Sequence, residues 1–256
     1  MKIRFVGTGS GKTSLKRHHS SLLISSKNYN ILVDCGDGTS LAILKQNINF
    51  DSIDAVLISH LHADHYSGLA SLLNQMKLLN RKTPFTIFIH RTLTNYIKSY
   101  LINSYLFIQR LGFELNIIGV DENKEISLAD SFSFISKLNS HLDKYKANAF
   151  STNVNLSSLS FLFKDDKTSC IYTGDIASMN DMYLFNEKVD WFIAESSHIN
   201  LGDLKEIGDK NLADKIIMTH IDEESEKNLL KLIKSLENGN KSNIFLASDG
   251  FILEHI

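Results

Sequence analysis

The chain has 256 residues, 43% of them hydrophobic, and a formal net charge of −2, so it can bury a sizeable core. It shows neither a run of eighteen apolar residues nor an export signal, and we expect a soluble cytoplasmic protein that does not contact a membrane. Its 27 Lys and Arg residues are scattered, which disfavours a nucleic-acid partner without excluding one. Two cysteines, Cys35 and Cys170, lie in strand-like runs, which argues against a disulfide framework and indicates buried thiols.

The first predicted element is a strand at residues 2–6, and a glycine-rich stretch, GTGSGKTS, follows it at residues 7–14. A nucleotide-binding phosphate loop has four residues between its two glycines and a helix directly after it. Here the position required for the first glycine is Val6, and residues 18–26 have the composition of a strand. We therefore interpret the stretch as a tight turn between two strands and not as a nucleotide site.

Strands and helices then interleave in both halves of the chain, with a β-rich middle between them. The predicted elements are, in order, strands at 20–26 and 30–34, a helix near 39–46, a strand ending at Ser59, helices at 66–79 and 92–110 around the strand FTIFI, short strands over 113–174, and alternating helices and strands over 178–236. One proline and the lack of a Gly/Ser-rich linker predict a single domain over residues 1–256. The pattern favours two sheets packed on each other with helices outside.

The segment ISHLHADHYSGL places His60, His62, Asp64 and His65 directly after a predicted buried strand. Each of these groups would cost desolvation free energy if it were buried without a partner, and a bound metal ion removes that cost. In an extended turn alternate side chains face the same way, so His60 and His62 can bind one ion while Asp64 and His65 point at a second. The cluster therefore predicts a metal site.

The HxHxDH pattern after a strand strongly resembles the metallo-β-lactamase superfamily, and the resemblance extends over nearly the whole chain. The stretches FVGTGSG, RHHSSLLI and ILVDCGDGTS are similar to the first strands of the ribonuclease Z-like branch of that superfamily. The resemblance implies an α/β fold in the form of a four-layer αββα sandwich, with two mixed β-sheets and helices on the outer faces. It also implies that the glycine stretch borders the metal site and that Asp34 or Asp37 braces the site by hydrogen bonds.

The resemblance implies three further metal ligands, each at the end of a strand. They are His141 as the third histidine of the first metal, Asp175 as a bridge between two metals, and His220 as the last histidine of the second metal. His90 also ends a strand and is the alternative to His141 as the third histidine ligand. Its position before the predicted 92–110 helix, however, departs from the order in which the family's ligands occur along the chain. Zinc suits such imidazole and carboxylate ligands, and manganese or iron can occupy sites of this kind.

A further histidine, His198, lies 220 − 198 = 22 positions before His220. Phosphodiester-cleaving members of the superfamily, ribonuclease Z among them, carry an additional histidine at a similar distance, thought to assist the leaving group. By this resemblance His198 is catalytic and Glu195, at the same strand end, orients it; the alternative is a surface histidine with satisfied hydrogen bonds. Only 175 − 141 − 1 = 33 residues separate His141 from Asp175, too few for the long tRNA-clasping arm of ribonuclease Z.

The resemblance implies a dinuclear metal-dependent hydrolase, and we favour a phosphodiesterase that cleaves a small or nucleotide-like phosphodiester by attack of a metal-bridging hydroxide. Asp64 would bind metal and orient the nucleophile, and His198 would donate a proton to the leaving alkoxide. Lys12 and Arg17 would contact the rest of the substrate. The alternatives are a tRNA 3′-processing endoribonuclease of the ribonuclease Z type, a lactone or thioester hydrolase with the same metal site, and a non-catalytic module that retains a structural metal. A homodimer is compatible with the sequence.

Overall fold

The computed structural model describes residues 1–152, 154–198, 203, 206, 212–237 and 243–255. The strands among these residues form two β-sheets. The strands within these residues are β1 (Lys2–Gly7), β2 (Ser21–Ser26), β3 (Tyr29–Val33), β4 (Ala55–Leu57), β5 (Phe85–His90), β6 (Leu115–Val120), β7 (Glu125–Ala129), β8 (Phe132–Leu138), β9 (Leu159–Lys164), β10 (Ser169–Tyr172), β11 (Val189–Glu195), β12 (Ala213–Thr219), β13 (Ile244–Leu246) and β14 (Ile252–Glu254). The first sheet has the order β14-β1-β2-β3-β4-β5-β6, and the second has the order β13-β12-β11-β10-β9-β8-β7.

Each sheet is mixed. Strands β3 to β6 pair in parallel in the first sheet, and strands β10 to β13 do so in the second. The remaining neighbours in both sheets are antiparallel. Because parallel strands end at the same edge of a sheet, the loops that follow them converge there.

Helices cover the outer faces of both sheets. Those within the described residues are α1 (Thr39–Lys45), α2 (Ala63–Tyr66), α3 (Leu69–Leu78), α4 (Thr94–Asn103), α5 (Lys146–Thr152) and α6 (Glu226–Glu237). Helix α3 buries one apolar stripe, formed by Leu69, Leu72, Leu73 and Met76. That stripe packs with Val56 of β4 and Ile87 of β5, whereas Ile233 of α6 packs with Ile216 of β12. The predicted α/β architecture, with two mixed sheets between helical layers, is therefore confirmed.

Aromatic side chains fill the space between the two sheets. The ring of Phe134 on β8 lies 5.7 Å from that of Phe88 on β5, measured between centroids. Phe161 and Phe163 on β9 lie 6.0 Å and 5.8 Å from Phe134. All four rings are buried, so they remove a large apolar area from water and join the sheets face to face.

The glycine-rich stretch is not the tight turn that its sequence predicts. Strand β1 ends at Gly7 and β2 begins only at Ser21, so a loop of residues 8–20 separates them. Within this loop, Gly9 makes isolated β-bridges with both His19 and Ile221. The loop is held by a segment more than two hundred residues away in sequence, and local composition carries no sign of that contact.

Helix boundaries differ from the predicted ones in three places. The segment predicted as one helix at 66–79 is divided at Gly68, where a Cβ atom would lie 2.2 Å from the carbonyl oxygen of Gly36. The helix predicted at 92–110 ends at Asn103, and α5 interrupts the region predicted as short strands. Over 178–236, β11, β12 and α6 match the predicted alternation, and residues 199–202, 204–205 and 207–211 lie outside the described part.

The single domain stays a prediction, and none of the described helices is long and apolar enough to cross a membrane.

Candidate metal centre

The structure brings the seven predicted metal ligands together in two groups that share Asp175. Within each group the candidate ligand atoms all lie within 4.8 Å of one another. The first group is His60, His62, His141 and Asp175, and the second is Asp64, His65, Asp175 and His220. Each group therefore has the number and kind of donors that a divalent ion requires.

Strand ends from both sheets supply these side chains. The HxHxDH segment follows β4 of the first sheet, and His62 has an extended backbone at the start of α2, so the residues after it turn into a helix. His141, Asp175 and His220 follow β8, β10 and β12 of the second sheet. His220 adopts a left-handed backbone, with φ of 53°, a conformation that non-glycine residues adopt rarely and mostly at special sites.

Asp34 fixes the orientation of His65. Its Oδ2 atom lies 2.8 Å from Nδ1 of His65 and accepts a hydrogen bond of 2.9 Å from the Tyr172 hydroxyl. Its Oδ1 atom accepts a bond of 2.8 Å from the backbone N–H of Ser59. With Nδ1 engaged, Nε2 of His65 is directed toward Asp175. Such a carboxylate–histidine pair is typical of the residues that support metal ligands, whereas Asp37 is exposed.

Two buried polar atoms in this centre have no hydrogen-bond partner among the described residues, and a cation would satisfy them. Nε2 of His65 and Oδ1 of Asp175 lie 3.2 Å apart, yet neither forms a hydrogen bond. Nδ1 of His62 lies 3.0 Å from Nε2 of His60 and 3.1 Å from Nε2 of His141. One imidazole nitrogen cannot satisfy both neighbours by hydrogen bonding, but three nitrogens that converge on one point suit a metal ion. The residues present therefore fit a pair of divalent ions.

Burial and charge give the histidines two different protonation tendencies. Burial lowers the pKa of His60 well below its ordinary value and that of His141 to about 4, which favours the neutral imidazole that can ligate a metal. Burial also opposes protonation of His65, but the charges of Asp175 and Asp34 outweigh it and raise the pKa of His65. The carboxylates thus require positive charge beside them, which a divalent cation can supply.

His198 lies beside the two groups and not within either. Its Nδ1 atom is 2.8 Å from Oε1 of Glu195, and its backbone N–H donates a 3.1 Å bond to Oε2 of the same carboxylate. Glu195 is fully buried at the end of β11. The His198 ring is 5.3 Å from that of His141 between centroids, and its side chain is 35% exposed. The hydrogen bond with Glu195 raises the pKa of His198, which favours a protonated imidazole.

His90 belongs to a different cluster. Its Nδ1 atom lies 2.8 Å from the Thr92 hydroxyl oxygen, and its Nε2 atom lies 3.3 Å from Oε1 of Glu122. His141, and not His90, joins the HxHxDH histidines. The two cysteines are buried and free, as the sequence predicts, and burial raises the pKa of Cys35 to about 12.

The glycine-rich loop borders the centre, but its basic residues face the protein itself. A Cβ atom on Gly11 would lie 3.3 Å from Oδ2 of Asp64, so the loop approaches that side chain closely. Arg17 is buried and donates to the Thr8 hydroxyl, at 2.6 Å, and to the carbonyl oxygen of Ala247, at 2.8 Å. It also pairs with Glu226 at 2.9 Å. The expected contact of Arg17 with substrate is therefore wrong, because the fold itself uses all of these donors.

Lys12 is likewise paired, with Glu224, and Lys16 lies 3.0 Å from Glu223. The residues 222–226 form an acidic segment, DEESE, that faces the basic loop. Complementary charge blocks in the sequence are the signal that could have predicted this contact.

Sequence reasoning also missed Asp181, which joins two ligand-bearing loops. Its carboxylate accepts hydrogen bonds of 3.0 Å and 2.7 Å from the backbone N–H and the hydroxyl of Ser140, and one of 3.0 Å from the backbone N–H of Ala177. Ser178 and Asp181 form a capping box. The S-x-x-D spacing is a recognisable sign of that motif, but not of its contact with the loop that carries His141.

A family model described as Anti-Pycsar protein Apyc1 matches residues 1–236. The chain belongs to this family. The Apyc1 match includes all seven candidate ligands and His198, since the last of them in the chain is His220.

Relatives of this Apyc1-family chain carry the name ribonuclease Z. The protein from Sulfolobus acidocaldarius is 26% identical over 245 residues, which are 83% of this chain and 81% of that protein. The protein from Alkaliphilus oremlandii is 37% identical over 118 residues, which are 46% of this chain and 36% of that protein. The match with the protein from Methanococcus aeolicus, at 30% identity, covers 65% of this chain and 48% of that protein. The chain thus spans between about a third and four fifths of the length of these relatives.

Solved structures show the same fold. The metallo-β-lactamase fold protein YhfI from Bacillus subtilis aligns with a TM-score of 0.77 at 19% identity, over 99% of each chain. Human tRNase Z, short form, aligns with a TM-score of 0.72 at 20% identity, also over 99% of each chain. A diphosphatase from the PhnP family aligns with a TM-score of 0.66 at 16% identity, over 100% of this chain and 98% of that one. The Apyc1-family chain therefore has the metallo-β-lactamase fold.

Proposed function

We propose that this protein is a metal-dependent phosphodiesterase that acts on a small or nucleotide-like phosphodiester. His60, His62, Asp64, His65, His141, Asp175 and His220 would hold two divalent ions, with zinc favoured and manganese or iron also suited to these ligands. Two such ions supply an activated water molecule as the nucleophile and neutralise negative charge on the phosphate.

The observation that carries the proposal is the hydrogen-bonded pair of His198 and Glu195 beside the centre. Because Glu195 binds Nδ1 of His198, Nε2 is the nitrogen that can hold a proton for the leaving group. A phosphodiester releases an alkoxide, which is a poor leaving group unless it is protonated, and a positioned acid contributes about 10² to 10⁴ in rate. The raised pKa of His198 keeps that proton available.

Asp64 and Asp175 would orient the reacting groups. Oδ2 of Asp64 lies 3.0 Å from Nε2 of His220, and Asp175 contributes to both candidate groups. Both carboxylates are buried, which excludes bulk water and strengthens their electrostatic effect on bound groups. In this arrangement Asp64 can also accept a hydrogen bond from the attacking water.

The comparisons support chemistry at phosphorus. The names ribonuclease Z, tRNase Z and diphosphatase of the similar proteins all describe cleavage at phosphate groups. The ribonuclease Z names also favour a second candidate, tRNA 3′-end processing. Against that candidate, the described residues between His141 and Asp175 form the short turn Asp143–Tyr145, α5, β9, β10 and brief connections. Lys12, Lys16 and Arg17 are paired within the protein.

The test compares wild-type protein with His198→Ala on an unactivated phosphodiester, an activated p-nitrophenyl phosphodiester and a lactone. We expect about a 10²- to 10⁴-fold loss of kcat on the unactivated diester, a much smaller loss on the activated diester, whose leaving group needs no proton, and little change on the lactone. His90→Ala is the matched control, because His90 is also a histidine at a strand end but lies in another cluster.

Metal-loaded protein is assayed in parallel on cyclic nucleotides and precursor tRNA, with its metal content measured. Cleavage of precursor tRNA alone would replace this proposal with the processing endoribonuclease. An equal loss on all substrates in His198→Ala would contradict the role of His198 as the acid.

A further inference from the structure

The loop of residues 8–20 is bonded to the backbone directly after His220. The N–H of Ile221 donates a 2.8 Å hydrogen bond to the carbonyl oxygen of Thr8, and the N–H of Ser10 donates one of 3.3 Å to the carbonyl oxygen of Ile221. His220 itself has a left-handed backbone, which persists only where its surroundings hold it. A shift of the loop would therefore shift His220.

The same loop approaches a second ligand of that group. A Cβ atom on Gly11 would stand 3.3 Å from Oδ2 of Asp64, and the same Oδ2 atom lies 3.0 Å from Nε2 of His220. The loop thus contacts Asp64 and the backbone next to His220, which both belong to the second group. Within the described residues, no hydrogen bond joins the loop to the histidines of the first group, which are His60, His62 and His141.

One carboxylate, that of Asp249, holds the loop near both of its ends. Its Oδ1 atom accepts hydrogen bonds from the backbone N–H and the hydroxyl of Thr8, at 2.9 Å and 2.6 Å. Its Oδ2 atom accepts a 2.8 Å bond from the backbone N–H of His18 and lies 2.8 Å from Nδ1 of the same residue. Because an ionised carboxylate only accepts hydrogen bonds, Nδ1 of His18 is the donor. Four bonds to one side chain therefore fix Thr8 and His18 relative to each other.

Asp249 is itself fixed between the two sheets. It lies in the segment that joins β13 to β14, beyond the residues 1–236 that match the Apyc1 family. In this segment the N–H of Ala247 donates a 2.9 Å bond to the carbonyl oxygen of Met218 on β12, and the N–H of Gly250 donates one of 2.7 Å to the carbonyl oxygen of Phe5 on β1. The Asp249 side chain therefore has a rigid base from which it can hold the loop.

We propose that Asp249 is a positioning residue for the metal ion of the second group, because it holds the loop that keeps His220 and Asp64 in place. The inference rests on the proposed function and adds to it a residue that bonds to none of the candidate ligands in the described structure. An amide in place of this carboxylate would turn its N–H₂ group toward two of the four donors, which would lose their acceptor.

The experiment removes zinc from metal-loaded protein with a chromogenic chelator and resolves one step for each ion. His141→Ala and His220→Ala identify the two steps, since each variant lacks a ligand of one group only. In Asp249→Asn we expect the affinity for the second-group ion to fall by about 10- to 100-fold, the usual effect of losing a supporting partner. The affinity for the first-group ion should be unchanged.

Asp165→Asn is the matched control. Its carboxylate also accepts several hydrogen bonds, from the backbone N–H groups of Lys167 and Thr168 and from the hydroxyl of Ser26. It lies before β10, however, whereas the ligand loop follows β10. Both variants should lower the melting temperature, but only Asp249→Asn should release one ion more readily.

Two substitutions at His18 change only one of the four bonds, so they decide the question even if Asp249→Asn does not fold. His18→Leu removes the Nδ1 donor, and we expect a loss of about 2- to 10-fold at the second-group ion, the effect of one hydrogen bond. His18→Asn places an amide N–H₂ group near the position of Nδ1 and should retain the wild-type affinity.

Three results would overturn the role of Asp249: unchanged affinity for both ions in Asp249→Asn and His18→Leu, an equal loss for both ions, or the same selective loss in Asp165→Asn. Wild-type protein that binds fewer than two ions would contradict the metal centre and this inference together. Wild-type protein that binds two ions but cleaves no phosphodiester would contradict the proposed function alone, and the metal titrations would still decide whether Asp249 positions the second-group ligands.

Discussion

At the scale of single residues, Asp34 is the side chain on which the second group of ligands depends most. Its side chain is fully buried and accepts hydrogen bonds from His65, Ser59 and Tyr172. Asp34→Ala would free the His65 ring to rotate, and the loss of such a supporting partner weakens metal affinity by about 10- to 100-fold. Competition with a chromogenic chelator measures this change.

Asp37→Ala is the matched control for Asp34, since the same residue type three positions later is exposed. Its metal affinity should equal that of the wild-type protein. An Asp34→Ala protein that binds two ions with unchanged affinity would show that packing alone, and not this carboxylate, orients His65.

The four HxHxDH ligands could be predicted from a local pattern that follows a strand, whereas His141, Asp175 and His220 were predicted through the resemblance to the metallo-β-lactamase superfamily. Arg17 could not be assigned in the same way. Its basic side chain beside a glycine-rich stretch is equally compatible with a substrate contact, and only the fold brings Glu226 and Ala247 to it.

At the scale of elements, Asp181 connects the loop after β8 with the loop after β10. These loops carry His141 and Asp175. The Asp181 carboxylate accepts hydrogen bonds from Ser140 in the first loop and from Ala177 in the second. In Asp181→Asn an amide N–H₂ group replaces one acceptor oxygen, so a buried donor loses its partner and the loops separate. We expect metal affinity to fall at both ions, because Asp175 belongs to both groups.

The control for this element is Asp190→Asn. Asp190 likewise accepts from the backbone N–H and the hydroxyl of one serine, Ser169, at 2.7 Å and 2.8 Å. It lies near the start of β11, away from the strand ends that carry the ligands. Both variants should lower the melting temperature, but only Asp181→Asn should change the visible spectrum of the Co²⁺-substituted protein. A normal cobalt spectrum in Asp181→Asn would mean that Asp181 stabilises the loops without positioning the ligands.

Elements with a regular pattern were predicted well, and elements that depend on distant partners were not. Strands β1, β2 and β5 fall within a residue or two of their predicted positions, because apolar β-rich runs bounded by turn residues mark them. The loop at 8–20 and helix α5 have no such pattern. The loop takes its conformation from contacts such as the backbone bond between Ser10 and Ile221, and α5 has no buried face whose periodicity could reveal it.

At the scale of the whole molecule, the proposed ions would bind both sheets at once. The HxHxDH ligands follow β4 in the first sheet, whereas His141, Asp175 and His220 follow strands of the second. Unfolding separates these strand ends and destroys the site, so ions that bind the native state stabilise it by mass action. At a free concentration one hundred times the dissociation constant, one ion contributes about 2.7 kcal/mol, which for a chain of this size corresponds to a shift of about 5 to 10 °C in melting temperature.

Excess chelator should therefore lower the melting temperature of the wild-type protein by about 5 to 10 °C for each ion removed. Calorimetry measures the shift, and metal analysis of the same samples counts the ions. Restored zinc should reverse the change, and the melting temperature should rise with the logarithm of the free zinc concentration. Asp175→Ala lacks the ligand shared by both groups, so its melting temperature should respond little to chelator. If the wild-type protein lost two ions without any change in its melting temperature, the ions would not link the two sheets in the native state, because binding restricted to that state must stabilise it.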